Sequence, residues 1–412
     1  MPDGTESTKT MPTPEEALGI VLGNLPPPSA VVKAAWESAG HILAGDVLCD
    51  IDMPPFDRSA MDGYALAGES ESYEILGEIP AGASGGAALC PGQAAPIMTG
   101  APVPEGADRV LMLEASRVDG GRLRADMMPA PAENVCFRGE DIAAGARVLS
   151  RGDLLDSKAA GLAAMAGRTS LPVYGRPAAA ILTTGTEVIP PGQRPGPGQV
   201  RNANSPMLSS LLLECGLRQG PAAHVPDDPG RTSEAALALL GSADILLVAG
   251  GISLGAYDHV APALEAAGVR FLFREVAQKP GKPFSFGLAN GKPVFCLPGN
   301  PVSVFCTFQE YVAPAVRRMS GHPDFRRRRF EGVSRFTHRQ KRGRTNFLRV
   351  TACSDGAGWV LDMPATSGSG DLMSTAGTNA LAICDGALDG VSPGDVVPFS
   401  FNAGREPGIC WT

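Results

Sequence analysis

Three short stretches follow one another between Val248 and Val304: GGISLGAYDH (Gly250–His259), KPGKPFSFG (Lys279–Gly287) and LPGNPVSV (Leu297–Val304). They stand beside apolar runs such as Asp244-Ile-Leu-Leu-Val-Ala and Pro293-Val-Phe-Cys-Leu, where a strand of an α/β sheet would give way to a ligand-binding loop. Glycines let the backbone approach a ligand closely, and lysines on a stiff turn attract an anion. A carboxylate at the start of a helix is a candidate ligand for a divalent cation. Presented together, these are the requirements of a phosphorylated ligand and its metal ion.

In the first stretch Gly250, Gly251 and Gly255 end a buried strand, with Ser253 among them, and Asp258 opens the next helix. An acid at that place ordinarily caps the helix; beside an anion site it becomes a candidate magnesium ligand. The run Ile181-Leu-Thr183-Thr-Gly-Thr-Glu187 brings a second carboxylate to the same edge. Asp227 and Asp228 bring a third, although Asp-Asp-Pro is equally a common turn. Lys279 and Lys282 flank a Pro-Gly turn and suit an oxyanion. Pro298 and Gly299 precede Asn300, which can cap, and Pro301 can fill the first turn of a helix over residues 302–319. The free amides of that turn and the Ser303 hydroxyl suit an oxyanion as well. Three further islands, Met53 to Tyr64, Ile97 to Pro102 and Arg138 to Ile142, hold more polar and special residues than turns need.

Positioning these segments takes several domains, because 412 residues exceed one ordinary core. Thr13-Pro-Glu-Glu16 is a capping box that opens a helix of about ten residues. Ala34–Ala44 reads as a second helix and Ser157–Ala166 as another. From Ile51 to about Arg138, short β-like pieces between Gly and Pro turns predict an inserted all-β module. From Pro177, strands at 178–182, 222–225, 244–249 and 293–297 alternate with helices at 205–214, 232–240, 259–267 and from Pro301. That alternation predicts a mostly parallel sheet covered on both faces, a three-layer α/β domain. After His322, short strands and Gly-rich turns predict a small barrel or sandwich.

Bulk composition narrows the function classes. Apolar residues make up 44% and charged residues 19%, as in a soluble globular protein, and no apolar run is long enough to span a membrane. A net charge of −8 argues against nucleic acid as the main partner. The Asp324–Val350 segment, with nine arginines and one lysine, is a local exception. It reads as a solvated basic face ahead of an RNA-binding strip, since Phe330, Phe336 and Phe347 interleave it only thinly. Nine scattered cysteines without a CxxC pair fit a reducing cytoplasm, and the polar N-terminus carries no export pattern.

The ordered motifs PPFDRSAMDGYA, IMTGAPVPEGAD, RGEDI, LTTGTEV, GGISLGAYDH, KPGKPFSFG and LPGNPVS, over about residues 11 to 405, resemble the molybdopterin molybdenumtransferase family. These are the bacterial MoeA enzymes, related to the C-terminal domain of gephyrin. The resemblance implies four domains: a helical one (11–50 and 141–176), an inserted β module (51–140), a molybdopterin-binding α/β domain (177–325) and a C-terminal β-barrel (326–412). It implies an elongated homodimer whose active sites are shared between subunits. The implied reaction inserts molybdate into adenylylated molybdopterin and releases AMP with the help of Mg²⁺. By motif match, Asp57, Asp141, Glu187, Asp228 and Asp258 are the functional acids and Thr99 the family's threonine, with Glu187 and Asp258 at the metal. Lys279, Lys282, Ser303, Arg344 and Ser369 fall at the molybdate pocket. Thr186 departs from the acid that many relatives carry in a TGDE loop. Alternative readings are a tungstate-inserting paralogue, a gephyrin-like scaffold, and the adenylyltransferase that makes the substrate. The last resembles the α/β domain alone and is otherwise a candidate partner.

Overall fold

The computed structural model describes residues 11–252 and 259–405. Helix Pro14–Gly23 begins with the expected capping box: the Glu16 amide donates to Thr13 Oγ1, and the Thr13 amide donates to Glu16 Oε2. Its buried face of Ala17, Leu18, Val21 and Leu22 joins the core of the distant α/β region.

The expected helix over Ala34–Ala44 does not form. Ala30–Ala34 is a strand antiparallel to Ser170–Tyr174, and a single 3-10 turn, Ala35–Glu37, follows. Gly40 then takes a positive φ of 76°, and the adjacent Ile42 and Leu43 are both buried by short bridges to Leu154 and Val173. Pairing with the 170–174 strand overrides the alanine-rich propensity. The expected helical domain therefore keeps one helix of its own, Ser157–Met165, capped by Asp156, and is otherwise built on short strands.

Between them lies a six-stranded sheet in the order 109–112, 63–66, 93–97, 73–75, 122–125, 116–119. Alternating residues bury both its faces, Ala65, Ala95 and Val110 on one side and Leu66, Ala94 and Leu111 on the other.

The α/β region is a six-stranded sheet ordered Gln219–Val225, Ala179–Thr184, Ile245–Ala249, Lys292–Leu297, Ser285–Ala289, Arg270–Phe273. The first four strands are parallel, and the last two, which the sequence reading did not assign as strands, extend the sheet antiparallel. Ile181, Ile245, Leu247 and Phe295 pack on one face against helices Asn204–Glu214 and Pro301–Thr307 and its continuation. Leu182, Leu246, Val248 and Val294 pack on the other against Pro229–Ser242 and Val260–Ala266. The helix from Pro301 widens to a π turn at Phe308–Val312 before resuming as Ala313–Met319. Pro314, lacking an N–H, cannot continue the ordinary ladder there.

The C-terminal barrel is closed. Thr345–Ser354 pairs with both Trp359–Asp362 and Ala380–Cys384, and Val396–Phe401 and Phe330–Ser334 complete the ring. Residues Gln278–Lys279 lie parallel to Thr345–Asn346 and so join the α/β region to the barrel.

Candidate active site

Chain reversal in the α/β sheet creates the site. From Ala179–Thr184 the chain passes to one neighbour, Gln219–Val225, and then crosses back to the other, Ile245–Ala249. At such a switch point the carboxyl ends of adjacent strands leave a crevice. Here a cleft of about 1390 Å³ opens between those ends and the barrel.

Glycine is required on its floor. Gly250 has φ 108°, and a Cβ there would lie 2.6 Å from the Thr184 carbonyl oxygen. Gly251 has φ 63°, with a Cβ 2.4 Å from Val260 Cγ2 and 2.8 Å from Thr184 Oγ1. That hydroxyl is buried and has no hydrogen-bond partner among the described residues. It is a polar handle left open to a ligand.

The sequence-derived residues divide into four groups. Glu187, Gly250 and Gly251 line the cleft from the switch point, and Lys279 and Lys282 line it from the turn beside the barrel. Pro298, Gly299, Asn300 and Ser303 line it from the start of the long helix, and Arg344 and Ser369 from the barrel side. Asn300 does not cap its helix by side chain. Its amide donates to Ser369 Oγ at 2.9 Å, while the Val302 amide donates to the Ser369 carbonyl at 3.2 Å. The helix start is thereby tied to the barrel loop. Ser253, Gly255 and Asp258 lie outside the described residues.

Asp228 caps helix Pro229–Ser242 by accepting from the Arg231 amide at 2.8 Å, and Asp227 is the acid that borders the cleft. Asp227 and Thr186 brace one another. The Thr186 amide donates to Asp227 Oδ2 at 3.0 Å, and the Asp227 amide donates to Thr186 Oγ1 at 3.1 Å. Thr186 thus has a structural task.

Charge in the cleft opposes that of the whole chain. Among the described residues, Arg201, Lys279, Lys282, Arg344 and Arg349 line it against Glu187 and Asp227. Lys282 is paired with Glu275 at 2.8 Å, whereas Lys279 has no ion pair among the described residues. Arg349, unnoticed in the sequence as a site residue, is half-buried there and donates to Thr366 Oγ1 at 2.7 Å. Burial pulls its pKa below the ordinary value. His338 also lines the cleft. Burial, reinforced by the Lys279 charge, lowers its pKa, which favours the neutral imidazole. Much of the remaining basic segment serves structure. Arg327 and Arg329 clamp the buried Glu310, Arg326 meets Glu15, Arg335 meets Asp362 and Arg342 meets Asp389.

Asp57, Thr99 and Asp141 are gathered elsewhere. Met53 bridges Ile142, Arg58 bridges Pro102, and the Arg138 amide donates to Asp57 Oδ1 at 2.7 Å. Thr99 donates through its amide and its hydroxyl to Asp62 Oδ1, at 2.6 and 2.8 Å. The three islands of the β module form one rim, and none of these three residues lines the cleft.

Comparison with known proteins agrees with this arrangement. Residues 12–167 match the family described as MoeA N-terminal region (domain I and II). Residues 180–318 match a probable molybdopterin binding domain, and residues 332–401 the MoeA C-terminal region (domain IV). The chain is 35% identical over 332 residues to molybdopterin molybdenumtransferase 2 of Mycobacterium tuberculosis, covering 76% of this chain and 81% of that one. It is 31% identical over 394 residues to a molybdopterin molybdenumtransferase of Nostoc, covering 90% of each. A molybdopterin biosynthesis MoeA protein from Pyrococcus horikosii superposes with a TM-score of 0.82 at 26% identity, over 95% of this chain and 99% of that one. The chain belongs to the molybdopterin molybdenumtransferase family, enzymes of molybdenum cofactor biosynthesis.

Proposed function

We propose that this enzyme inserts molybdate into adenylylated molybdopterin, with Mg²⁺ present, and releases AMP. The observation that carries the reading is the basic turn of Lys279 lining, together with Arg344 and Arg349, a switch-point cleft in an otherwise acidic chain. Such a cleft concentrates anions, and both substrates are anionic. The glycine floor and the Thr184 hydroxyl would take the organic part of the ligand, and the lysine and arginines its oxyanions. By holding molybdate and the adenylylated pterin together, these residues couple metal insertion to the departure of AMP.

Mg²⁺ uses one or two carboxylates together with substrate oxygens rather than an all-protein cage. The residues fit that mode. Glu187 borders the cleft without an ion pair among the described residues. Glu187 and Asp258 would hold the ion, which supplies Lewis-acid polarisation of the phosphoanhydride when bound.

We take the chain as four units, 11–50 with 141–176, 51–140, 177–325 and 326–412, working as a cytoplasmic homodimer. Asp57, Thr99 and Asp141 would then act on the cleft of the partner subunit, and the adenylyltransferase would hand over the substrate. The decisive test supplies purified protein with adenylylated molybdopterin and Mg²⁺ and follows AMP, with molybdate or tungstate in separate arms. AMP release that depends on molybdate is expected. Release without either oxyanion sinks the coupling, and a faster tungstate arm reassigns the metal.

A further inference from the structure

Gln278 is completely buried beside the cleft, and burying an amide is costly unless its hydrogen bonds are used. Both ends of this amide are used. Nε2 donates to the Pro280 carbonyl at 3.0 Å, and Oε1 accepts from the Tyr311 hydroxyl. The turn that carries Lys279 and Lys282 is wrapped around the Gln278 side chain. Gly281 has φ 93°, and a Cβ there would stand 2.7 Å from Gln278 Nε2 and 2.6 Å from Thr307 Cγ2. The Val276 amide closes the turn by donating to the Lys282 carbonyl at 2.9 Å.

Tyr311 belongs to the π turn Phe308–Val312. Its ring stacks on Phe284 at 4.4 Å and is wholly buried, and burial raises its pKa well above the usual range, so the hydroxyl remains a donor. A donor there fixes which way the Gln278 amide faces. The same π turn is anchored twice more. Glu310 meets Arg327 and Arg329, and Gln309 Oε1 accepts from the Ala403 amide at 2.8 Å.

We propose that Gln278, oriented by Tyr311, is a positioning residue that sets the Lys279 ammonium in the cleft for its oxyanion. The proposal rests on the reading of Lys279 as an oxyanion-binding residue given above. Lys279 follows Gln278 directly, and its backbone is in register with Asn346 of the barrel. The amide therefore controls the base of the one turn lysine that lacks an ion pair among the described residues. An apolar side chain of the same size would fill the space and leave the turn unanchored.

The test measures AMP release at saturating adenylylated molybdopterin and Mg²⁺ while molybdate is varied. Gln278→Met and Tyr311→Phe should each raise the molybdate KM about tenfold and leave kcat within about twofold, a change on the scale of one lost hydrogen bond. The KM for adenylylated molybdopterin should not move, which separates positioning from general loss of structure. In a Lys279→Ala background neither substitution should raise the molybdate KM further. An equal rise in that background means that Gln278 acts independently of Lys279 and overturns the proposal. A normal KM in Gln278→Met or Tyr311→Phe, with Lys279→Ala impaired, overturns the positioning role alone. A normal KM in Lys279→Ala overturns the assignment of the lysine itself, and the positioning role with it. If Gln278→Met does not fold, Tyr311→Phe and its Lys279→Ala double variant decide the question, since that change removes only a hydroxyl.

Discussion

The pairing of Lys282 with Glu275 makes the two turn lysines unequal, and a charge cycle exposes the difference. Lys282→Ala leaves the Glu275 carboxylate uncompensated beside the cleft-lining turn. Across about 8 Å, one unit charge is worth roughly 0.5 kcal/mol in bulk water and about 2 kcal/mol at an effective dielectric of 20. The pair is partly solvated, 43% and 25% exposed, so the screened end applies and molybdate affinity should fall about threefold. If Lys279 holds the oxyanion as proposed, Lys279→Ala removes a direct charged hydrogen bond, worth roughly 1.5–3 kcal/mol, and affinity should fall about ten- to a hundredfold. Adding Glu275→Gln to Lys282→Ala restores the charge balance and should return affinity to the wild-type value. Calorimetric molybdate titrations at two salt concentrations provide the assay, with the wild-type affinity falling as salt rises. A Lys282→Ala variant as impaired as Lys279→Ala, and not rescued by Glu275→Gln, would refute the reasoning. Lys282 would then leave Glu275 and grip the oxyanion itself.

Other outcomes follow from neighbouring features. Glu310→Ala leaves Arg327 charged and buried, and should lower unfolding stability by roughly 3–5 kcal/mol in a denaturant titration. Arg342→Ala, which breaks an exposed pair, should leave the midpoint unchanged; similar midpoints for the two variants would contradict this. Gly251→Ala forces a Cβ against Val260 and Thr184, so AMP release should drop roughly tenfold or more with circular dichroism unaltered, and wild-type turnover would count against the glycine floor. Burial, with Arg317 and Arg176 nearby, pushes the His322 pKa down from 6.5 to about 4, so the unfolded chain takes up the proton first. The stability of this neutral imidazole is complete above pH 6.5 and is lost as pH falls towards 4. His322→Asn should therefore flatten the loss of stability over that window, and equal slopes would disprove the linkage. If sites are shared between subunits, mixing Asp57→Ala chains with Asp258→Ala chains should restore partial activity, because one site of each mixed dimer carries neither lesion. Subunit exchange without any recovery would confine Asp57 to its own chain.

Much of the site was legible because its loops interrupt strongly apolar strands. Ile245–Ala249 and Lys292–Leu297 are parallel and largely buried, so their ends are marked by an abrupt change to glycine, proline and charge. The antiparallel extension was harder to read. Arg270–Phe273 is four residues long and Ser285–Ala289 begins inside the lysine turn motif, so neither stands out as a strand. Arg349 was hidden within a run of basic residues. Its signal was the period-2 pattern of Thr345–Ser354, where Leu348, Val350 and Ala352 enter the barrel core. Phe347 and Arg349 point the other way, Phe347 against Val302 and Cys306 of the helix, Arg349 into the cleft. The engagement of Lys282 by Glu275 and the capping role of Asp228 depend on tertiary distances, which motif spacing does not encode.

Helix Pro14–Gly23 packs against residues far along the chain, Phe308–Val312 and Ala313–Met319, with Val312 and Val316 in the same core. During synthesis it must wait, half-finished, until nearly three hundred further residues have left the ribosome. Its partners on the long helix are thus made long after the helix itself. A seal of this kind closes only on a chain that has been made well past the α/β sheet, so an unfinished product keeps the apolar face of this helix exposed.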